Sequence, residues 1–599
     1  MTALPAPLWG PLPAKDGTRF RLWAPAETAV ALRWGGADHP MRRDAEGWFE
    51  LTRPARAGED YAFVLGDGLV VPDPAARAQA GCDVHGPSRL VDPDAYRWRD
   101  AGWRGRPWAE AAILEIHVGT FTPEGTFRAA AGRLAEIAAS GFTAVELMPV
   151  AQFAGRRGWG YDGVLPYAPH PAYGTPDDLR ALVDAAHGLG LMVLLDVVYN
   201  HFGPEGNYLP RYAPAFFHPE SPTPWGAAIA YDRAPVRRFF IENALYWIGA
   251  FHLDGLRLDA IDHVRDPDSP VEILVEIAET LRAAFPDREI HLTTEDNRNV
   301  THLHERGPDG GVPRYTAEWN DDLHNAAHVL ATGETEGYYV DFADDALGKF
   351  ARALAEGFAY QGEPSPHAGD APRGAPSAHL PPGAFVDFLQ NHDQIGNRAH
   401  GERLVTLAPP PRVRALMAIL LLAPHAPLLF MGEDWGETRP FAFFTDFEGE
   451  LADKVREGRR AEFQGFAAFG SAAARAAVPD PNAEDTFAAS RIDWARRDTP
   501  EGRDWRGFTS DLLALRLREI APRLAAAPGH GGRVLHAADG ALALAWRLDG
   551  ATLRLRANLS DQPRAVPVAP GRVLHAWNGA GADPLMPPWS TLWTMDADT

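Results

Sequence analysis

Hydrophobic and polar positions change rhythm twice along this 599-residue chain. Up to about residue 105, short runs such as Arg19–Trp23, Ala29–Trp34 and Tyr61–Leu65 sit between Gly, Asp and Pro turns. Short strands with frequent turns predict a β-sandwich over residues 1–105. Beyond residue 110, apolar runs alternate with longer amphipathic stretches. Strands are predicted at Ala112–Val118, Phe142–Pro149, Leu191–Val198, Leu253–Ile261, Glu289–Glu295, Tyr315–Trp319, Ala384–Leu389 and Pro427–Met431. The Tyr315–Trp319 pattern is the weakest of these. Helices are predicted at Phe127–Ala139 and, after Thr175-Pro176, at Asp177–His187. Eight strand–helix units predict the α/β class and a closed parallel (β/α)8 barrel over residues 106–525. Two segments interrupt it: the Pro- and aromatic-rich 201–233 beyond the third strand, and the Pro/Gly/Ser-rich 361–382 before the seventh. After a last helix at 508–523, period two returns in Val534–His536, Ala541–Trp546 and Thr552–Ala557, with Asp539-Gly540 and Asp549-Gly550 as hairpin turns. Residues 526–599 are therefore expected to form a small antiparallel β domain.

Composition narrows the partners. The formal charge of −23 disfavours nucleic acid and is compatible with a neutral substrate. A single cysteine, Cys82, excludes an internal disulfide. Met1 to Pro7 has neither a basic start nor an apolar core, so no signal peptide is expected. The longest apolar stretch, Ala415–Met431, is broken by Pro424, His425 and Pro427, which argues against a membrane span. A cytoplasmic protein is expected.

Three stretches place acids where strands should end: Gly255–His263, Thr293–Asn297 and Phe388–Gln394. A barrel of parallel strands delivers reactive groups to one rim in this way. Cleavage of a sugar C–O bond needs two carboxyl groups there. Arg257 and Asp259 share a strand face, so the arginine can keep Asp259 ionised, as a nucleophile requires. Glu295, on another strand beside Asp296, suits a general acid with a raised pKa. Asp393, after Asn391 and His392, can hold sugar hydroxyls. One such acid alone is more often a turn residue or helix cap, and His201, His392 or Trp225 alone would be packing residues. Three acids on separate strands outweigh that reading. His201, His252, Asp254 and His263 lack compact ligand spacing, so neither a metal nor any other cofactor is expected.

These segments resemble the signature regions of the α-amylase superfamily of retaining glycoside hydrolases and transglycosylases. Asp196-Val-Val-Tyr-Asn-His201 resembles the third-strand region and Gly255–His263 the fourth, with Asp259 at the nucleophile position. Glu295 falls at the acid/base position. His392-Asp393 matches the seventh-strand pair that stabilises the transition state. Trp159-Gly-Tyr-Asp162 resembles the segment whose tyrosine, here Tyr161, stacks on the sugar. Within the superfamily, Glu295-Asp-Asn-Arg-Asn299, Glu318-Trp-Asn-Asp-Asp322, Asn391–Arg398, Gly432–Glu437 and Phe443-Phe-Thr-Asp-Phe447 are similar to the maltooligosyltrehalose trehalohydrolase family. Glu318 stands where that family's pattern leads us to expect glutamine.

The resemblance implies hydrolysis of the α-1,4 bond next to a terminal trehalose, with release of trehalose and retention of configuration. It implies a functional pairing with a maltooligosyltrehalose synthase, and a carbohydrate-binding-like N-terminal sandwich. It places Asp262 and His263 on the acceptor side and suggests Trp225, Asn320, Asp321, Asp322, His324 and Gln394 as trehalose contacts. The competing expectations are a glycogen-branching or debranching α-glucan enzyme and a non-catalytic glucan-binding protein.

Overall fold

The structure is a computed structural model and describes residues 7–597. The segment Met1 to Ala6, which bears on a leader, lies outside the described residues.

The eight alternating strand units close into a barrel. Its strands are β1 (Ile113–Ile116), β2 (Ala144–Leu147), β3 (Met192–Val197), β4 (Gly255–Leu258), β5 (His291–Thr294), β6 (Ala317–Trp319), β7 (Phe385–Asp387) and β8 (Ala426–Phe430). Each pairs in parallel with the next, and β8 pairs with β1. The first seven are shorter than predicted, because the apolar runs continue past the ladder bonds into the loops, and β8 keeps its predicted length one residue earlier in the chain. Alternation splits each strand into an inner and an outer face. Ile113, Ala144, Met192, Leu194, Ala317, Val386 and Leu428 pack together as an apolar cluster that fills the lower interior. The weak sixth strand is real and only three residues long.

Two antiparallel sheets precede the barrel. Gly17–Trp23 pairs with Trp48–Arg53, and Val30–Trp34 pairs with Asp60–Leu65. Phe20, Leu22, Leu32 and Phe63 are fully buried, as the period-two pattern requires. A five-stranded antiparallel sheet containing Gly532–Ala538, Ala541–Leu548 and Ala551–Asn558 follows the barrel. Asp539 and Gly540 both adopt positive φ (51° and 82°), the twist that a two-residue hairpin turn demands.

Two local expectations are corrected, and the two insertions gain a structure. The helix expected at Phe127–Ala139 divides into Phe127–Ala131 and Leu134–Ala139, because the chain turns at Gly132. The last barrel helix begins earlier, at Pro500 behind a Thr499 cap, and α-helical pairing ends at Leu515. Both insertions are built on hairpins, Phe217–Thr223 with Gly226–Ile229 and Glu363–Ser365 with Ala371–Arg373.

The connector after the N-terminal sheets closes the barrel floor. Trp103 Nε1 donates to Asp254 Oδ1 at 2.7 Å, Val193 N donates to Asp254 Oδ2 at 2.9 Å, and His187 Nε2 is hydrogen-bonded to the same Oδ2 at 3.0 Å. Asp100 Oδ2 accepts from His187 Nδ1 and His252 Nδ1 at 2.9 and 2.8 Å. Arg288 completes the cluster 3.3 Å from Asp254. Among the described residues, no helix is long and apolar enough to cross a membrane.

Candidate active site

Strand ends supply the opposite rim. Arg257 points inward from β4, and Asp259 follows immediately, its amide still bonded to Val197 O at the end of β3 (3.1 Å). The buried guanidinium contacts three carboxylates: Asp196 Oδ2 at 2.6 Å, Asp259 Oδ1 at 2.9 Å and Glu295 Oε2 at 3.2 Å. It lies 4.3 Å over the Trp319 ring, which packs its underside without removing a donor. Burial opposes the cation, but these neighbours outweigh it and raise the Arg257 pKa further. Asp259 and Glu295 therefore open into one compartment, with side chains 12% and 17% exposed.

The backbone aims a second donor at Glu295. Ala260 holds a left-handed conformation (φ 39°), unusual for a residue with a Cβ, and its amide donates to Glu295 Oε2 at 2.7 Å. Oε2 thus faces the Ala260 amide and the Arg257 guanidinium together. Burial pushes the Glu295 carboxyl well above the ordinary range, and Asp259, Asp321 and Asp393 reinforce the shift against the pull of Arg257. The geometry therefore places two carboxyl groups of unlike surroundings at one mouth, one with a raised pKa and one paired with Arg257.

An aromatic and imidazole wall flanks the pair. Gly160 turns the chain at φ 104°, where a Cβ would lie 2.0 Å from Pro149 O, and this brings Tyr161 over the mouth. Tyr161 OH donates to Asp196 Oδ2 at 2.5 Å and lies 2.8 Å from His392 Nε2. His392 Nδ1 is hydrogen-bonded to Glu115, and its amide donates to Glu115 Oε2 at 3.0 Å. Burial works against an imidazolium there, yet Glu115 prevails and raises the His392 pKa. Asn391 caps the helix His392–Gly396, accepting from the amides of Asp393 and Gln394, and so fixes Asp393 at the rim. Burial raises the Asp393 pKa. Opposite, Trp225 on the first inserted hairpin stacks on His201 at 4.4 Å, with His263 edge-on at 5.0 Å. Asp262 lies 3.6 Å from His263. Gln394 donates to Asp321 Oδ1 at 3.0 Å, and burial next to Asp393 pushes Asp321 up to about 7.

Three expected substrate contacts are not brought to this mouth. Asn320 is buried and donates to Gly357 O and Asp387 Oδ1 at 2.8 and 2.9 Å. Asp322 is fully enclosed, accepting from Asn299 and the amides of Ala359 and Tyr360 and pairing with Arg373. His324 is hydrogen-bonded to Leu389 O and Tyr339 OH, and burial pushes its pKa down to about 3. These side chains brace the barrel from outside. Glu318 is also buried and faces away, hydrogen-bonded to Thr294 Oγ1 at 2.5 Å, so its charge-bearing group does not enter the cleft.

Residue reasoning missed Glu115, Glu146, Asp196 and Trp319 as parts of the site. A signal existed for the first two: each is a lone acid inside an otherwise apolar strand, where buried parallel strands read as continuous hydrophobic runs.

An eight-stranded parallel barrel with two unlike carboxyl groups at the C-terminal rim defines a glycoside hydrolase of the α-amylase superfamily, and residues 87–222 match the alpha amylase catalytic domain. Residues 525–593 match a domain of unknown function, DUF3459. The chain is 44% identical over 542 residues to a malto-oligosyltrehalose trehalohydrolase of Deinococcus radiodurans, covering 88% of this chain and 86% of the relative. It is 41% identical to one from a Rhizobium species, covering 86% of each. A Salmonella typhimurium crystal structure described as an alpha amylase superposes with a TM-score of 0.96 at 55% identity, covering 99% of this chain and 100% of that one. The chain belongs to the malto-oligosyltrehalose trehalohydrolase family.

Proposed function

We propose that this enzyme cleaves the α-1,4-glucosidic bond adjacent to the terminal trehalose of maltooligosyltrehalose and releases trehalose. The substrate follows from the names of its relatives. The chemistry is supported above all by the single guanidinium of Arg257 in contact with both Asp259 and Glu295. In this reading Asp259 attacks the anomeric carbon while Glu295 Oε1 gives its proton to the leaving oxygen. The bond from the anomeric carbon to that oxygen breaks, and trehalose leaves with the proton. Glu295 then takes a proton from water, whose oxygen displaces Asp259, so configuration is retained. Asp393 holds the hydroxyls beside the reacting carbon, while Asn391 and His392 set its position. Tyr161 and His201 line the glycone side; Trp225, Asp262, His263, Asp321 and Gln394 serve the trehalose side. We assign residues 1–105, 106–525 and 526–599 to three domains, the cytoplasm as the compartment, and a maltooligosyltrehalose synthase as the supplier of substrate.

Maltotriosyltrehalose and maltopentaose compared side by side test the assignment. The expected products are trehalose and maltotriose from the first, with little turnover of the second. Maltose from maltopentaose at a comparable rate would instead indicate an amylase, and binding without turnover a glucan-binding protein.

A further inference from the structure

Directly beneath the reacting pair the barrel interior becomes polar. Glu115, Glu146, Asp196, Arg257 and Thr293 point inward from β1 to β5. Register sets Glu115 beside Glu146, and Arg257 between Asp196 and Thr293. Several side-chain atoms there are shielded from solvent and have no hydrogen-bond partner in the protein: both oxygens of Glu146, Asp196 Oδ1, Arg257 Nε, Thr293 Oγ1 and Trp319 Nε1. Leaving so many buried polar atoms unpaired is costly, and polar surroundings of this kind are where proteins hold internal water.

Burial and the charges around Glu146 together set its state. Glu115, Arg257 and Asp196, the last pushed up to about 6 by burial, face it; His392 stands behind Glu115, and Asp259 and Tyr161 behind Asp196. Burial, reinforced by Glu115 and Asp196, pushes the Glu146 carboxyl far above its ordinary range. A protonated Glu146 has a donor to offer. Asp196 has an acceptor free: Oδ2 already takes Arg257 and Tyr161, while Oδ1 takes nothing.

We propose that Glu146 is a positioning residue for the hydrolysis: its carboxyl proton is donated through buried water to Asp196 Oδ1, keeping Asp196 ionised and Arg257 locked against Asp259 and Glu295. This rests on the reading of Asp259 and Glu295 as the reacting pair. The role needs a donor and no charge. An amide therefore replaces the acid, and an alkyl group does not.

The test uses the full-length enzyme with Glu146→Gln and Glu146→Leu, assayed on maltotriosyltrehalose with thermal melts alongside. Glu146→Gln is expected to keep kcat within about twofold. Glu146→Leu is expected to lose roughly 10- to 100-fold in kcat, the scale of a lost hydrogen bond to a charged group, with KM little changed. Its pH–rate profile is expected to lose activity at a higher pH on the acid side. Without the donor, Asp196 protonates more readily and releases Arg257. Difference infrared spectra between wild type and Glu146→Gln are expected to show a protonated carboxyl at neutral pH, a readout that does not depend on turnover. A tenfold loss in a well-folded Glu146→Gln, an unaltered Glu146→Leu, or the absence of that carboxyl band would each overturn the proposal. If Asp259→Asn remains active, the failure lies with the catalytic reading and not with Glu146.

Discussion

The two ends of the barrel are built from the same residue types and do opposite things. On the floor, His187, His252, Asp100, Asp254 and Arg288 saturate one another, and both oxygens of Asp254 accept donors. At the mouth, Asp259 and Glu295 share Arg257, and burial, reinforced by neighbouring acids, raises the pKa values of Glu295, Asp321 and Asp393. Composition does not separate a brace from a reactive site. The difference lies in whether each charge has its partners and whether an oxygen is left facing a cleft.

Substitution should split the two ends cleanly. At the mouth, Asp259→Asn is expected to lower kcat by roughly four orders of magnitude or more with an unchanged melting curve, since the proposed nucleophile is removed without a change in volume. Glu295→Gln should cost roughly 10²- to 10⁴-fold by the same assay. On the floor, Asp254→Ala strands Arg288 and His187, and is expected to lower unfolding free energy by about 3–5 kcal/mol in denaturant titration while the folded enzyme keeps its kcat. A floor variant that folds normally but turns over slowly would erase the distinction. On the rim, Trp225→Ala removes one stacking wall and should reduce kcat/KM by roughly 3- to 10-fold. The finest test is Asp321→Asn. Glu295 must be protonated to act as an acid, so activity falls as pH rises through its raised pKa. Asp321 helps hold that proton by repulsion. Its removal should shift the basic limb of the pH–rate profile to lower pH, and no shift would mean that the two groups do not communicate.

How much of this the sequence disclosed follows from periodicity. The barrel was legible because eight apolar runs stand between helical patterns, and even the three-residue β6 left a trace. Asp259, Glu295 and Asp393 were legible as acids at strand ends. Asp321 and Asp322 are instructive: neighbours on one helix point about 100° apart, so one reaches Gln394 at the mouth and the other is sealed beneath Arg373. Motif membership covers both and cannot tell them apart. Glu115 and Glu146 were missed for a related reason. As lone acids in apolar strands they left a signal, but which face of the strand they occupy becomes visible only once the barrel closes.

The left-handed twist at Ala260 sets a trap for anyone engineering this enzyme for heat resistance. Glycine relaxes at that dihedral, and a screen for survival alone would favour the replacement. The peptide plane it loosens is the one that directs an N–H at Glu295, so selection should score turnover and melting together.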